Sequence, residues 1–389
     1  ALQNSVAHYY QRASSADYLG VDPTRRSLTG TGGYVKVGRK GNAKWNFSET
    51  FTWSSPGFDL NDMGYMKETD YLMNETEIMY RQTDIWKIFR YNAFTLSQKN
   101  MWNYGGTPFS NNASLRWQSM TMNRYEWDVK ETFAWNWLDS RLLRGGPDVR
   151  FGSYFLTSAK FNTDKAKRMM FMLKYEGDHN FEGNRFNTIS PSLTFRLGNH
   201  VYLSGQLDYA WNTDEMQYVA TTSPLSSSSL APYYYVMGHM DQKTYGLTLK
   251  LQVNVTPDIS IQFYGAPFTS IAKYDDFKLA ADTKSHTFEN RFQRIDPDQL
   301  TYADGVYTIG EGAGQMPFRN PDFRFNEFRS NLVARWEYLP GSTLYFVWEH
   351  RMSNRDNWYS SGWGSNLDRM WGLPATNTFM IKMNYWFNL

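Results

Sequence analysis

The chain contains no cysteine. That excludes disulfides, thiolate metal sites and cysteine nucleophiles together. It also lacks any apolar run of about 18 residues, so a helical membrane span is excluded. Charge of one sign is missing too. The 40 basic and 38 acidic residues leave a net charge of +2, and nucleic acid is not an expected partner. Enzyme motifs are equally scarce. His8, His179, His200, His239, His286 and His350 are scattered, without His-Glu-x-x-His spacing. Neither a Gly-x-Ser-x-Gly elbow nor a Gly-x-x-x-x-Gly-Lys-Ser/Thr phosphate loop occurs. The run Gly310-Glu311-Gly312-Ala313-Gly314 follows no buried strand and opens no amphipathic helix, so it reads as a flexible loop. Asp275-Asp276 and Asp296-Pro297-Asp298 lack the spacing of a calcium-binding EF-hand and read as exposed loop acids. The expectation is a non-enzymatic protein without catalytic residues, metal or cofactor.

What the chain has in quantity is aromatic side chains, with 15 Trp, 27 Tyr and 26 Phe. The mean hydropathy is nevertheless −0.61. So many large rings in a soluble domain would need longer apolar runs than this sequence offers. A barrel in lipid resolves the conflict, because its rings face outward while polar residues fill the lumen.

The alternation is cleanest between 320 and 389. Phe328, Leu332, Ala334, Trp336 and Tyr338 fall on one side, with Arg329, Asn331, Arg335 and Glu337 on the other. After the turn Leu339-Pro340-Gly341-Ser342, Leu344, Phe346 and Trp348 oppose Tyr345, Val347, Glu349 and Arg351. Phe379, Ile381, Met383, Tyr385 and Phe387 then oppose Met380, Lys382, Asn384 and Trp386. A period of two means strands with one apolar and one polar face.

The same rhythm runs through the earlier sequence. Strands are expected near 4–12, 28–38, 45–53, 71–81, 86–98, 113–122, 125–137 and 150–161. Others follow from Met169 and at 184–197, 201–211, 244–255 and from Ile259. The chain reads as a single all-β domain, a transmembrane antiparallel β-barrel over 1–389 of about sixteen strands. Short turns alternate with long loops, as periplasmic turns alternate with extracellular loops. Glu49 breaks the alternation by falling on the apolar side. The largest insertion spans about 267–324 and is a candidate lid or binding surface.

Two sets of residues are candidate sites. Arg329, Arg335, Glu337, Glu349, Arg351 and Lys382 would line the lumen or form a cross-strand charge ladder. Trp358, Tyr359 and Trp363 in one loop, and Tyr233-Tyr234-Tyr235 in another, are aromatic candidates for stacking on sugars; packing of loops or a membrane-interface belt is the alternative role.

Three stretches carry a family resemblance. They are Ser54-Ser55-Pro56-Gly57-Phe58-Asp59-Leu60-Asn61-Asp62-Met63-Gly64-Tyr65 with Asp70 beyond, Asn320-Pro321-Asp322-Phe323 leading to Phe328-Arg329-Ser330-Asn331, and Arg335-Trp336-Glu337-Tyr338-Leu339-Pro340-Gly341-Ser342-Thr343-Leu344-Tyr345. Together they resemble the C-terminal barrel of a largely uncharacterised outer-membrane family of Bacteroidota. Members of that family carry an N-terminal domain similar to family 9 carbohydrate-binding modules. The resemblance implies an outer-membrane location and a chain that is the C-terminal part of a longer, exported protein. It further implies a porin-like role in transport or surface binding of glycan-type nutrients. The alternative is a structural or accessory subunit of a larger secretion or uptake complex. Expected partners are outer-membrane lipid and lipopolysaccharide, glycans, and other outer-membrane proteins or lipoproteins.

Overall fold

The computed structural model of the chain describes residues 3, 8–10, 13–14, 17–60, 66–225, 232–356 and 363–387. Its elements are β1 (Gly32–Arg39), β2 (Trp45–Ser54), β3 (Tyr71–Gln82), β4 (Phe89–Trp102), β5 (Pro108–Thr121), β6 (Glu126–Trp135), β7 (Trp137–Asp139) and β8 (Val149–Phe151). Next come β9 (Tyr154–Asn162), β10 (Met169–Asn180), β11 (Arg185–Leu197), β12 (Val201–Thr222), β13 (Tyr234–Asn254) and β14 (Ile259–Ala280). The chain continues through β15 (Phe292–Arg294), β16 (Leu300–Ala303), β17 (Val306–Ile309), β18 (Met316–Arg319), β19 (Phe323–Leu339), β20 (Ser342–Asp356), α1 (Trp363–Trp371) and β21 (Thr376–Asn384).

One 16-stranded antiparallel sheet organises the molecule. Its path runs β1-β2-β3-β4-β5-β6-β9-β10-β11-β12-β13-β14-β19-β20-β21, with β15 added beside β14. Consecutive strands pair with consecutive strands, so the path is a meander. β1 and β21 stand at its two ends and do not pair with each other. No helix among the described residues is long and apolar enough to cross a membrane.

The strands form because period-two alternation gives each of them two chemically different faces, and pairing keeps the faces in register. In β2, Trp45 and Phe47 are 60% and 53% exposed, whereas Asn46 and Ser48 are 7% and 5% exposed. The same inversion recurs around the sheet. Leu96, Leu115, Phe171, Leu203, Leu249 and Phe346 are exposed, while Asn92, Ser114, Ser190, Ser270 and Ser330 are buried. Rings gather at two levels of the apolar face. Trp45 with Tyr80, Trp127 with Phe161, and Trp336 with Tyr338 lie near the tight turns. Phe133 with Trp135 and Phe155, and Tyr209 with Trp211 and Tyr245, lie toward the other end. Aliphatic residues such as Leu203, Leu207, Leu247, Leu249 and Leu251 fill the band between.

Glu49 stays on this apolar face, opposite Thr76. Its carboxylate accepts hydrogen bonds from Asn74 Nδ2 and, at 2.6 Å, from Thr76 Oγ1. The break in the pattern is therefore a charge held by two cross-strand donors.

Several expectations are corrected. The first expected strand, at 4–12, is described only at His8–Tyr10, and these three residues are not strand. The strands expected at 201–211 and from Ile259 run on to Thr222 and Ala280, and the strand expected at 244–255 already begins at Tyr234, so β12, β13 and β14 have 22, 21 and 22 residues. Pro267 does not begin the large insertion. It sits inside β14 opposite Phe328, and the excursion is confined to 281–322. Asp275 and Asp276 accordingly lie in β14, at an irregularity where Asp276 has a φ of 44°, and not in a loop. Two connections at the loop end, 103–107 and 181–184, are as short as the turns at the opposite end.

The extended strands build a crown. β11 pairs with β12 only as far as Thr213, and β19 pairs with β14 only as far as Ala272. Beyond these points β12, β13 and β14 project at the loop end, and both clusters of buried apolar side chains among the described residues lie there. Val236, Met240, Tyr274, Phe277 and Leu279 pack with Ile309 and Phe318 of the small β16-β17-β18 sheet. Met216 and Met237 pack with Leu143, Val149 and Phe292. The crown has an ordinary apolar core; the remainder of the sheet has its polarity reversed.

Candidate functional site

An open cavity of about 290 Å³ lies at the foot of the crown, on the polar face of the sheet. The sheet contributes Asp178, Phe186 and Asn212, which are direct cross-strand partners on β10, β11 and β12. Alternation puts them on the same face as Lys174, Ser190 and Asp208. The β7-β8 hairpin supplies Trp137 and Phe151, and Tyr154 opens β9 beside them. Asp214 completes the wall where β12 leaves β11.

The lining combines four rings (Trp137, Phe151, Tyr154 and Phe186) with carboxylates and amides. The amides are held by local turns. Asn180 Oδ1 accepts from the backbone N–H groups of Glu182 and Asn184, at 2.9 and 2.8 Å. Asn184 Oδ1 accepts from Glu215 N at 2.6 Å. With their oxygens engaged, both side chains present their NH₂ groups as donors. Asp214 accepts from Met216 N at 2.9 Å, and burial pushes its carboxyl above the usual range.

A buried ion pair fixes the outer wall. Arg291 is 1% exposed and donates through both terminal nitrogens to the two oxygens of Glu182, at 2.9 and 2.7 Å. It also donates to the carbonyls of Arg150 at 2.7 Å and Ser285 at 2.8 Å. One guanidinium therefore ties the 281–322 excursion to β8 and to the β10–β11 turn, both of which border the cavity. The planar fork of arginine suits such bidentate holding.

The expected lumen residues share one face. Register places Arg329 opposite Arg351, and Arg335 opposite Tyr345, which in turn faces Lys382. Glu349 faces Asn331 on one side and Thr378 on the other, and Glu337 faces Thr343. They do not form a continuous ladder. Glu327, which the sequence reading did not include, accepts from Arg329 at 2.8 Å and Arg351 at 3.0 Å and so separates two like charges. Arg335 and Glu337 form their own pair near the turn, where Glu337 also accepts from Gly341 N at 3.1 Å.

The expected aromatic platforms fare differently. Trp358 and Tyr359 lie outside the described residues, as does the side chain of Trp363 at the start of α1. Tyr233 is exposed, but Tyr234 packs on one crown cluster and Tyr235 on the other. Adjacent strand residues point to opposite faces, so these three rings make no common surface. The rings that do converge come from 137–186, and no short motif announces them. One signal was available: no Gly or Pro interrupts 206–222, so nothing required β12 to end at Trp211.

The motifs behind the family resemblance have structural roles. In the first, Thr69 Oγ1 donates to Pro56 O, and Asp70, at a φ of 60°, accepts from the Tyr18 hydroxyl at 3.0 and 2.9 Å. Burial pushes the Asp70 carboxyl up. In the second, Asp322 accepts from Tyr274 N at 2.7 Å and locks the end of the excursion to β14. In the third, Gly341 has a φ of 77°, the left-handed conformation that the two-residue turn requires.

The class defined by this architecture is an all-β protein built on one long antiparallel meander. The chain belongs to the family described as "Domain of unknown function (DUF5916)", whose model matches residues 3–389. No curated protein and no solved structure matches it.

Proposed function

We propose that this chain is a bacterial outer-membrane β-barrel that binds a glycan-type nutrient at its outer mouth, for uptake or surface capture. The reversed polarity of the sheet carries the reading: large apolar residues are exposed around it while Asn, Ser and Thr are buried. In water such a surface would drive aggregation. In a bilayer it is the favoured arrangement, with ring belts at the two interfaces and aliphatics between. Strands of about ten residues or more suffice to cross. On this reading the paired body of the sheet lies in lipid and the crown stands outside, against lipopolysaccharide and solvent.

The cavity supports the choice of ligand. Its rings offer flat apolar surfaces to the C–H faces of a sugar, and its amides and carboxylates match hydroxyl groups that both donate and accept. Titration of the detergent-folded protein with linear oligosaccharides of glucose, mannose and xylose, followed by tryptophan emission, tests this. Saturable change that is lost in Trp137→Ala and Asn212→Leu is the expected result. Absence of any saturable response across the three series, with no block of conductance in planar bilayers, would remove the glycan assignment.

A further inference from the structure

At the tight-turn end the sheet carries an open groove of about 510 Å³ between the β5–β6 turn and the β9–β10 turn. The two turns are neighbours because β6 pairs with β9, Glu126 opposite Asn162. The groove has two chemically different parts. Its apolar part is Met122, Tyr125, Met169 and Phe171, all exposed. These side chains continue the outward ring belt: the Phe161 ring centroid stands 4.4 Å from that of Trp127, 5.8 Å from Tyr125 and 6.5 Å from Phe171. The two methionines adapt readily to an irregular apolar partner.

Its polar part is cationic. The two turns carry Arg124, Lys165, Lys167 and Arg168. Arg124 pairs with Asp164 Oδ2 at 2.8 Å and Lys165 pairs with Glu126, whereas Lys167 and Arg168 have no carboxylate partner among the described residues. Asp164 is buried, and its Oδ1 accepts from Ala166 N at 2.9 Å. Arg124, Lys167 and Asp164 together leave the groove wall with one positive charge in excess.

We propose that this groove holds one anionic phospholipid of the leaflet at the tight-turn end, an assignment that rests on the membrane-barrel reading. The phosphodiester meets Lys167 and the guanidinium N–H groups of Arg124 that Asp164 leaves open, and an acyl chain follows Met169 and Phe171 along the sheet. A zwitterionic headgroup would bring its ammonium against Lys167 and Arg168, so a headgroup of net negative charge is selected. A soluble anion would satisfy the cations and leave the rings unused; an amphiphile uses both parts. Lys40, Lys44 and Lys87 on the other tight turns extend the positive rim toward which a negatively charged leaflet is drawn. Lipopolysaccharide, on the same reading, lies at the opposite end.

Native mass spectrometry of the detergent-folded chain tests this, with dioleoyl phosphatidylglycerol, dioleoyl phosphatidylcholine and glycerol phosphate as probes. One phosphatidylglycerol is expected to be retained in preference to phosphatidylcholine. Lys167→Gln should weaken that retention about fivefold, the worth of one basic contact at an anionic surface, and Lys167→Arg should restore it. Lys130→Gln, on the polar face of β6, makes the same charge change and should leave retention as it is. Equal retention of the two lipids would overturn the assignment. So would an unchanged Lys167→Gln, equal weakening in Lys130→Gln, or displacement of the lipid by millimolar glycerol phosphate. The barrel reading is followed separately: spin labels on Leu249 and Leu251 in phosphatidylcholine bilayers should report lipid whatever the groove binds, and labels that report water would overturn both.

Discussion

Replacing Leu249 with arginine distinguishes lipid from water on the apolar face. Leu249 lies on β13 between the ring belt at Tyr245 and the turn after Asn254, level with the aliphatics Leu203 and Leu207 of β12. It is 40% exposed, so nothing in the chain itself crowds a longer side chain. If the face meets water, Leu249→Arg is a surface change worth within about 0.5 kcal/mol. If it meets hydrocarbon near the bilayer centre, the cost is about 2–4 kcal/mol. That corresponds to a loss of roughly 30-fold to several hundred-fold in the folding equilibrium. Val255→Arg, at the turn, is the internal control and should cost only about 0–1 kcal/mol. The assay is reversible guanidinium unfolding in phospholipid vesicles, read by tryptophan emission. Equal, near-zero effects at both positions would refute the argument, because no lipid-facing band predicts them.

Three other perturbations follow from the contacts described. Asn74→Leu removes one of the two donors to Glu49 and should cost about 1–3 kcal/mol in the same assay, whereas Glu49→Leu, which removes the charge itself, should be near neutral or stabilising. Arg291→Met leaves Glu182 buried without its cation, so about 3–5 kcal/mol should be lost locally; limited proteolysis should then cut within 281–322 while the sheet stays intact. His239 bridges Glu215 at 3.1 Å and Asp241 at 3.5 Å. Burial opposes its charge, but these acids and Asp275 outweigh it and hold the imidazole above its ordinary value near 6.5. A raised value means the pair stabilises the folded crown fully below about pH 6.5 and that this contribution is lost as pH rises through the folded value. Hydrogen exchange of 236–240 should therefore quicken above that pH, and His239→Gln should flatten the profile.

The body of the sheet was legible because its strands carry apolar residues on one face and polar residues on the other. The stretches at 45–53, 244–255, 344–351 and 379–384 declare this in their alternation. The crown was not legible for the same reason in reverse. Past Thr213 and Met240, most residues of β12 and β13 are at least half-buried on both faces, so the two-fold pattern fades there without any turn residue, whereas on β14 Lys273, Asp275 and Asp276 stay exposed beside the buried Ala272 and Tyr274. Pro267 reads as a terminator, yet it is accommodated in the ladder opposite Phe328. The charged residues of β19 and β20 could be assigned to one face from spacing alone. Their neutralisation by Glu327 could not, since it depends on which strands lie side by side. The cavity was hidden because its rings and amides are drawn from six strands between Trp137 and Asp214, and only the fold brings them together.

The central claim, that the apolar face meets lipid, is tested most directly by site-directed spin labelling. The protein has no native cysteine to interfere. Nitroxides at Leu203, Leu207, Leu249 and Leu251 in proteoliposomes should be accessible to oxygen and shielded from a water-soluble nickel chelate. Labels at the alternate positions Gln206, Thr248 and Lys250 should show the opposite preference. Equal access of the nickel chelate to both sets would contradict the barrel and the function proposed for it.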